Sequence, residues 1–392
     1  MATALLASCS QKEEYLEPQQ PNNVIYYTSS DGNVVTPYAM DVFGANIVSN
    51  EYVDGQGIIT FDGAVTSLGD MCFFECSSMT SITIPNSVTS LGGACFWYCI
   101  NLTSITIPDG VTSLGDYCFY ECDSLKSITI PDGVTSLGEE CFSWCSSLTS
   151  IKIPDSVTSL GEACFLACSS LTSIKIPNSV TSFGDYCFAI SNLTSITIPD
   201  SVTSLGDGCF SDCSSLTSIK IPDSVTSLGE ACFWYCTNLE SFYGKYATPD
   251  GRALVKDNVL VAFAPYGLTS YSIPDGVTSL GTYCFSVCRS LTSITIPDSV
   301  TSLGFGCFSD CSSLKSITIP DSVTSLGNYC FQNCSGLTSI TVMPATPPTG
   351  SSSMFYRINN DCPIYVPAGS VDAYKTAEYW SDYAYRIQAI SK

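Results

Sequence analysis

Residues 102–125 read LTSITIPDGVTSLGDYCFYECDSL, and this one stretch decides the fold. Ser104-Ile105-Thr106-Ile107 alternates polar and apolar, the period of a half-buried strand, with Ile105 and Ile107 facing inward. Pro108 ends the strand because it has no N–H to give the ladder, and Pro-Asp-Gly then makes a turn. Val111 and Leu114 mark a second short inward segment, which Gly115 breaks. Asp116 suits a helix start. Cys118, Phe119, Cys122 and Leu125 follow at i, i+1, i+4 and i+7, one face of a short helical turn. The unit is therefore strand, turn, short strand, helical turn.

The same unit recurs along the chain. Cys-Phe starts at Cys72, Cys95, Cys118, Cys141, Cys164, Cys187, Cys209, Cys232, Cys284, Cys307 and Cys330, eleven units mostly 23 residues apart. One step, to Cys209, is 22 residues, and the 52 residues from Cys232 to Cys284 must hold one longer, irregular unit. A lone coil cannot bury its apolar face, but stacked coils can. The sequence predicts an α/β repeat solenoid of about 12 coils of 23 residues, roughly 60 Å long at the strand spacing. Leu, Ile, Val, Phe and Cys ladders would fill its core, and Ser and Thr ladders would cover the strand face.

The pattern L-x-x-I-x-I-P-x-x-V-x-x-L-G-x-x-C-F-x-x-C resembles the BspA-type leucine-rich repeats of bacterial surface proteins, over residues 58–345. That family usually carries a small residue, often Ala, before the Phe, where this chain has Cys in all eleven units. The irregular unit, placed at 237–270, and the tail from Pro363 also resemble segments of such proteins from Bacteroides-like bacteria. The resemblance implies a leucine-rich-repeat array on a cell-surface or secreted protein, used for adhesion or partner binding and without catalysis. No ligand carries over from the family; the reading is of a host matrix or bacterial surface protein bound along the ladder faces of the solenoid. A glycan bound along exposed aromatic residues is the competing reading.

Composition narrows the function from the other side. The 392 residues carry 14 Lys plus Arg against 36 Asp plus Glu, a net charge of −22, and no histidine. Such a chain lacks the basic footprint that nucleic acid or anionic lipid requires. Without histidine it has no His-based triad, His-ligated zinc or His proton shuttle. Nothing in it points to a cofactor or an active site, and the reading is of a non-enzyme.

The flanks divide as 1–21, a lipoprotein-like N-terminus and tether; 22–57, a β cap on the first coil; and 346–392, a cap with a terminal helix starting near Val371 after Ser370. Leu6-Ala7-Ser8-Cys9 resembles a bacterial lipobox, which implies Cys9 as the lipid-bearing residue of an outer-membrane-anchored lipoprotein. The acidic Gln11-Lys12-Glu13-Glu14 that follows resembles a surface-export signal.

Three features of the repeat remain. The 23 cysteines read best as buried thiols, small hydrophobes in the core; disulfides between coils and metal thiolates are the alternatives. The residue after each repeat proline is Asp or Asn, as turn chemistry favours, with a cation ladder as the alternative. Asp-Ser-Val at Asp155, Asp200, Asp223, Asp298 and Asp321 resembles an O-glycosylation sequon. Finally, the two residues after Cys-Phe vary where the core does not. Trp97, Tyr98, Tyr120, Trp144, Trp234 and Tyr235 occupy them, and variation in so regular an array predicts an exposed aromatic column, a candidate partner-binding site.

Overall fold

The computed structural model describes residues 21–391. Cys9 and the lipobox-like segment lie outside the described residues. The chain winds into a β-solenoid of about 13 turns of ~23 residues.

Each coil forms as its sequence dictates. Ser104–Thr106 pairs in parallel with the preceding strand, Ser81 on Ser104 and Ile82 on Ile105, so like residues stack on like. The turn after Pro108 is closed by Val111 N–H donating to Pro108 C=O at 3.0 Å. The short second strand, Ser113–Leu114, joins a seven-stranded sheet built from two-residue strands of seven coils. The hydroxyls around the turn are spent on the fold. Thr112 Oγ1 donates to Thr89 C=O, and Ser156, Ser201, Ser224, Ser299 and Ser322 of the Asp-Ser-Val triplets each donate to a Val carbonyl one coil back at 2.6–2.7 Å.

The Cys-Phe segment differs from the expected helical turn. Tyr117 and Glu121 are left-handed, with φ of 59° and 54°, and every Cys-Phe coil repeats this pair of positions. Alternate N–H groups then point along the solenoid axis. Tyr117, Phe119 and Glu121 donate to Glu139, Cys141 and Ser143 of the next coil at 2.8–2.9 Å, while Tyr120 and Cys122 donate three residues back. An α-helix would consume all these donors inside one coil; two linked turns leave half of them to stitch the stack. The i, i+1, i+4, i+7 spacing of apolar residues is compatible with both.

Phenylalanines fill the centre. Phe73 to Phe233 form a run of near-parallel rings with centroids 5.3–5.7 Å apart. A second run leads from Phe285 through Phe308 and Phe331 to Phe355. The 22 described cysteines are free and buried. Burial pushes the thiol of Cys168 up to about 12 and that of Cys213 to about 11. The two cysteine columns differ. Most thiols of the second donate to Phe carbonyls one coil back, as in Cys145 to Phe119 at 3.2 Å and Cys334 to Phe308 at 3.0 Å. Ser191 takes that position in the 22-residue step, buried and bonded to Cys213 Sγ at 3.2 Å. Cys141, in the first column, sits fully buried among apolar neighbours. We therefore expect Cys145→Ser to change stability by under about 1 kcal/mol and Cys141→Ser to cost about 1–3 kcal/mol, because only the second hydroxyl loses water without gaining an acceptor. Urea melts of the two variants check this; equal costs would mean that the S–H···O contacts are idle.

Both ends are closed. Strand β1 (Val24–Ser29) pairs antiparallel with β3 (Gln56–Phe61) and with β4 (Met79–Thr83) of the first Cys-Phe coil, while β2 (Ile47–Val53) covers β3. At the other end the ladder runs beyond residue 345. Met354-Phe355 takes the place of Cys-Phe, with Phe355 stacked on Phe331, and Ile364 and Ile387 extend the Ile340 column. The terminal helix α1 (Val371–Thr376) is a single short piece, and Ser370 makes no side-chain cap bond. Ile387 lies beyond it, in strand Ile387–Ala389. Tyr374 and Trp380 seal the end by donating to Pro344 and Pro348 carbonyls, both at 2.8 Å.

The irregular unit splits the array. Ser241–Gly244 continues the first strand column, but the chain then makes an antiparallel hairpin, Ala253–Lys256 with Val259–Phe263. Val259 and Leu260 pair with Ser279 and Leu280 of the next coil. The buried core divides here into two clusters.

Candidate binding surface

The variable residues surround the Cys-Phe pair on one edge of the solenoid. Three columns matter: the residue before the pair, and the two after it. Their backbone sets their exposure. The residue before the pair and the second after it are left-handed. The second after it is turned outward in most coils, as with Tyr98 and Trp144, 42% and 44% exposed, while Ala167 and Val287 in the same column are buried. The first after it lies along the stack and is covered in most coils, although Trp234 is still 37% exposed and its neighbour Tyr235 is half-buried. Ser143, Ser211 and Ser309 are buried there, and Trp97 and Tyr120 are half-buried. The expectation that all variable positions are exposed therefore fails for most of this column; Trp97, for example, has the Tyr117 ring of the next coil lying over it.

That covering produces stacks between coils. Trp97 lies parallel to Tyr117 at 5.4 Å and tilted to Tyr120 at 5.0 Å. Phe74 packs edge-on against Trp97, and Tyr38 of the N-terminal cap against Phe74. Where a tyrosine stands before one Cys-Phe pair, a small residue can face it in the next. Tyr186 covers Gly208 and Tyr283 covers Gly306, where an added Cβ would meet the ring at 2.4 Å.

The six aromatic residues do not form one column. Trp97, Tyr98 and Tyr120 share an N-terminal patch, with Trp144 on the following coil. Trp234 and Tyr235 belong to a second patch four coils further on, about 20 Å away at the strand spacing. There Trp234 stacks on Tyr283 at 5.0 Å and donates Nε1–H to Ser286 Oγ at 3.2 Å across the irregular unit. Arg289 lies over the Tyr235 ring, 5.6 Å from its centroid, and donates to its hydroxyl at 2.8 Å. The sequence reading missed Tyr117, Tyr283 and Tyr329, each directly before Cys-Phe, and Phe305, one residue further back. For the tyrosines the signal was available: the residue before Cys-Phe is Tyr in four coils and Ala or Gly in five others.

The edge is acidic. Asp70, Asp116, Glu139, Glu162, Asp185, Asp207 and Glu230 follow the repeat glycine in successive coils, interrupted at Gly93. The aspartates among them cap the stack: Asp116 Oδ1 accepts from Glu139 N–H at 2.9 Å and Asp207 Oδ1 from Glu230 N–H at 2.7 Å. Glu139 also accepts from the Tyr117 hydroxyl, which holds that phenol up at about 12. Burial, with Glu139 and Glu162 beside it, raises the Glu140 carboxyl. The lysines of these coils sit elsewhere, Lys152 and Lys220 within the first-strand column. Among the described residues the one ion pair is Lys256–Asp257. Also among them, no group of three or more Cys, Asp or Glu side chains is placed to hold a metal ion.

Stacked short strands joined by turns, with like residues in register over a single-file core, define a leucine-rich-repeat solenoid of the bacterial kind. The chain belongs to the BspA type leucine rich repeat family, whose pattern it matches over residues 56–169, 135–246 and 261–369. A leucine rich cell surface protein from Faecalibacterium prausnitzii A2-165 is similar in structure, at 26% identity and a TM-score of 0.60, over 80% of this chain and 87% of that one. A leucine-rich repeat protein from Eubacterium ventriosum ATCC 27560 is similar at 25% identity and a TM-score of 0.54, over 74% and 75% of the two chains. A leucine-rich repeat protein from Bacteroides ovatus ATCC 8483 matches at 25% identity over 88% and 92%, with a TM-score of 0.49. No curated protein matches the sequence. No helix among the described residues is long and apolar enough to cross a membrane.

Proposed function

We propose that this chain is a bacterial surface protein that binds a protein partner along the exposed edge of its solenoid, as an adhesin or receptor. The observation that carries the reading is its likeness to the Faecalibacterium cell surface protein over most of both chains. The geometry agrees with it. The Cys-Phe edge carries exposed aromatic residues that differ from coil to coil, such as Tyr98 and Trp144, whereas the strand face repeats the same Ser and Thr residues. Repeated weak contacts along one edge would add through avidity. Cys9 is the proposed lipid-bearing residue that would hold the chain at the outer face of the outer membrane.

The test is display and binding together. In a Bacteroides-like host, the full chain should be cut by external protease, and Cys9→Ala should release it from the membrane fraction. The same chain should bind one or more immobilised host matrix or bacterial surface proteins saturably and without competition from free sugars. Binding to purified glycans alone would replace this reading with glycan capture through the Trp and Tyr residues.

A further inference from the structure

The second residue after Cys-Phe reads Glu75, Tyr98, Glu121 and Trp144 in four successive coils. Carboxylate and aromatic ring alternate at the coil spacing. Glu75, Tyr98 and Trp144 are exposed and Glu121 is half-exposed. A cation over the face of Tyr or Trp is attracted by the ring quadrupole, and flanking carboxylates add Coulomb attraction.

The chain itself shows a cation in such a place. Tyr235 occupies this same column, and Arg289 of the next coil covers its ring while bonding its hydroxyl. Arg289 is the residue directly after the second cysteine of its coil. The equivalent residues for Tyr98 and Trp144 are Asp123 and Ser169, which supply no cation. No Lys or Arg occurs anywhere between Lys12 and Lys126. The N-terminal patch has the receiving half of the Tyr235–Arg289 contact twice over, without the giving half.

We propose that Glu75, Tyr98, Glu121 and Trp144 form a strip that reads an Arg- or Lys-bearing polypeptide segment, one cation on each ring, with Glu75 and Glu121 flanking Tyr98 and Glu121 beside Trp144. The proposal rests on the protein-binding reading above and names the chemistry of the partner. Tyr98 and Trp144 are two coils apart, about 10 Å at the strand spacing. An extended polyproline-type segment repeats its side-chain direction every three residues, about 9 Å. Basic residues three apart on such a segment match the strip.

The probe is a synthetic (Arg-Pro-Pro)5 peptide, with (Gln-Pro-Pro)5 as control, titrated calorimetrically into the full chain. A chain of charge −22 attracts any polycation, so the decisive variant is one that changes no charge. Tyr98→Ala with Trp144→Ala should weaken the Arg peptide about tenfold, and Tyr98→Phe with Trp144→Phe should stay within about threefold of the parent. Alanine already lives in this column as Ala167, with φ of 58°, so the backbone accepts it. Should the alanine pair misfold, Tyr98→Ile with Trp144→Ile carries the test, since Ile190 already holds this position with φ of 57°, and should weaken the Arg peptide to a similar extent. Equal binding of the Arg and Gln peptides, or an unchanged affinity in the alanine pair, overturns the strip. So does displacement of the Arg peptide by a neutral glycan.

The two readings fail separately. A surface protein bound equally by parent and alanine pair leaves the adhesin reading standing and removes the strip. Variant-sensitive peptide binding with no protein bound on the panel does the reverse.

Discussion

Phe142→Ala should destabilise the array by about 3–5 kcal/mol, the range for emptying a buried aromatic site. Phe142 is fully buried and lies nearly parallel to Phe119 at 5.3 Å and Phe165 at 5.7 Å. A globular core closes part of such a hole by shifting its walls. Here the walls are rings held one per coil, and each coil is fixed to the next by bonds such as Phe142 N–H to Cys164 C=O at 2.9 Å. Neither neighbour moves down the axis without breaking that ladder, so collapse is poor and the cost falls high in the range. Urea unfolding followed by near-ultraviolet and far-ultraviolet signals measures it. A cost below about 1 kcal/mol would show that the rings do not carry the core.

Gly184→Ala attacks the stack from outside the core and should cost about 3 kcal/mol, the upper part of what overpacking does. A Cβ at Gly184 would lie 2.5 Å from Glu162 N and 2.6 Å from Gly161 C. Those atoms are backbone, and no rotamer change relieves the clash. The coils must part locally, which strains the Gly184 N–H bond to Leu160 C=O at 3.0 Å. Coils touch only their neighbours, so a weakened interface divides unfolding into steps instead of lowering one midpoint. The expected record is a biphasic urea curve. Gly369→Ala is the control: its Cβ would meet nothing within 4 Å, and the melt should be unchanged.

The legible part of this protein is whatever lives within one coil. Ile-Pro marks the strand and its end, and Cys-Phe marks the core face, because single-coil patterning decides which residues turn inward. Contacts between coils were harder to read. Tyr117 over Trp97 joins residues 20 apart, and nothing in either side chain alone announces the other. The helical-turn expectation failed for a related reason. Whether an N–H donates within its coil or to the next is decided by stacking, and the apolar spacing serves both. The aromatic candidates divided for a local reason: Trp97 and Tyr98 are adjacent, but left-handed backbone at Tyr98 turns one outward while the other lies flat. The last turn escaped because Met354-Phe355 lacks the cysteine that marked the others.

The irregular places carry a further meaning. In a chain whose coils are nearly interchangeable, threading shifted by one whole coil would keep most like-on-like contacts, so many alternative stackings lie close in energy. Only residues out of period tell these threadings apart. Phe183 replaces the usual Leu and meets Phe188 and Phe210 edge-on. Trp234 finds Tyr283 only when the Ala253–Lys256 hairpin lies between their coils. Strand β1 has an antiparallel partner in β4 alone among the repeat strands. The departures from the repeat thus count the coils: they select one alignment of the chain with itself from many that the repeat would accept.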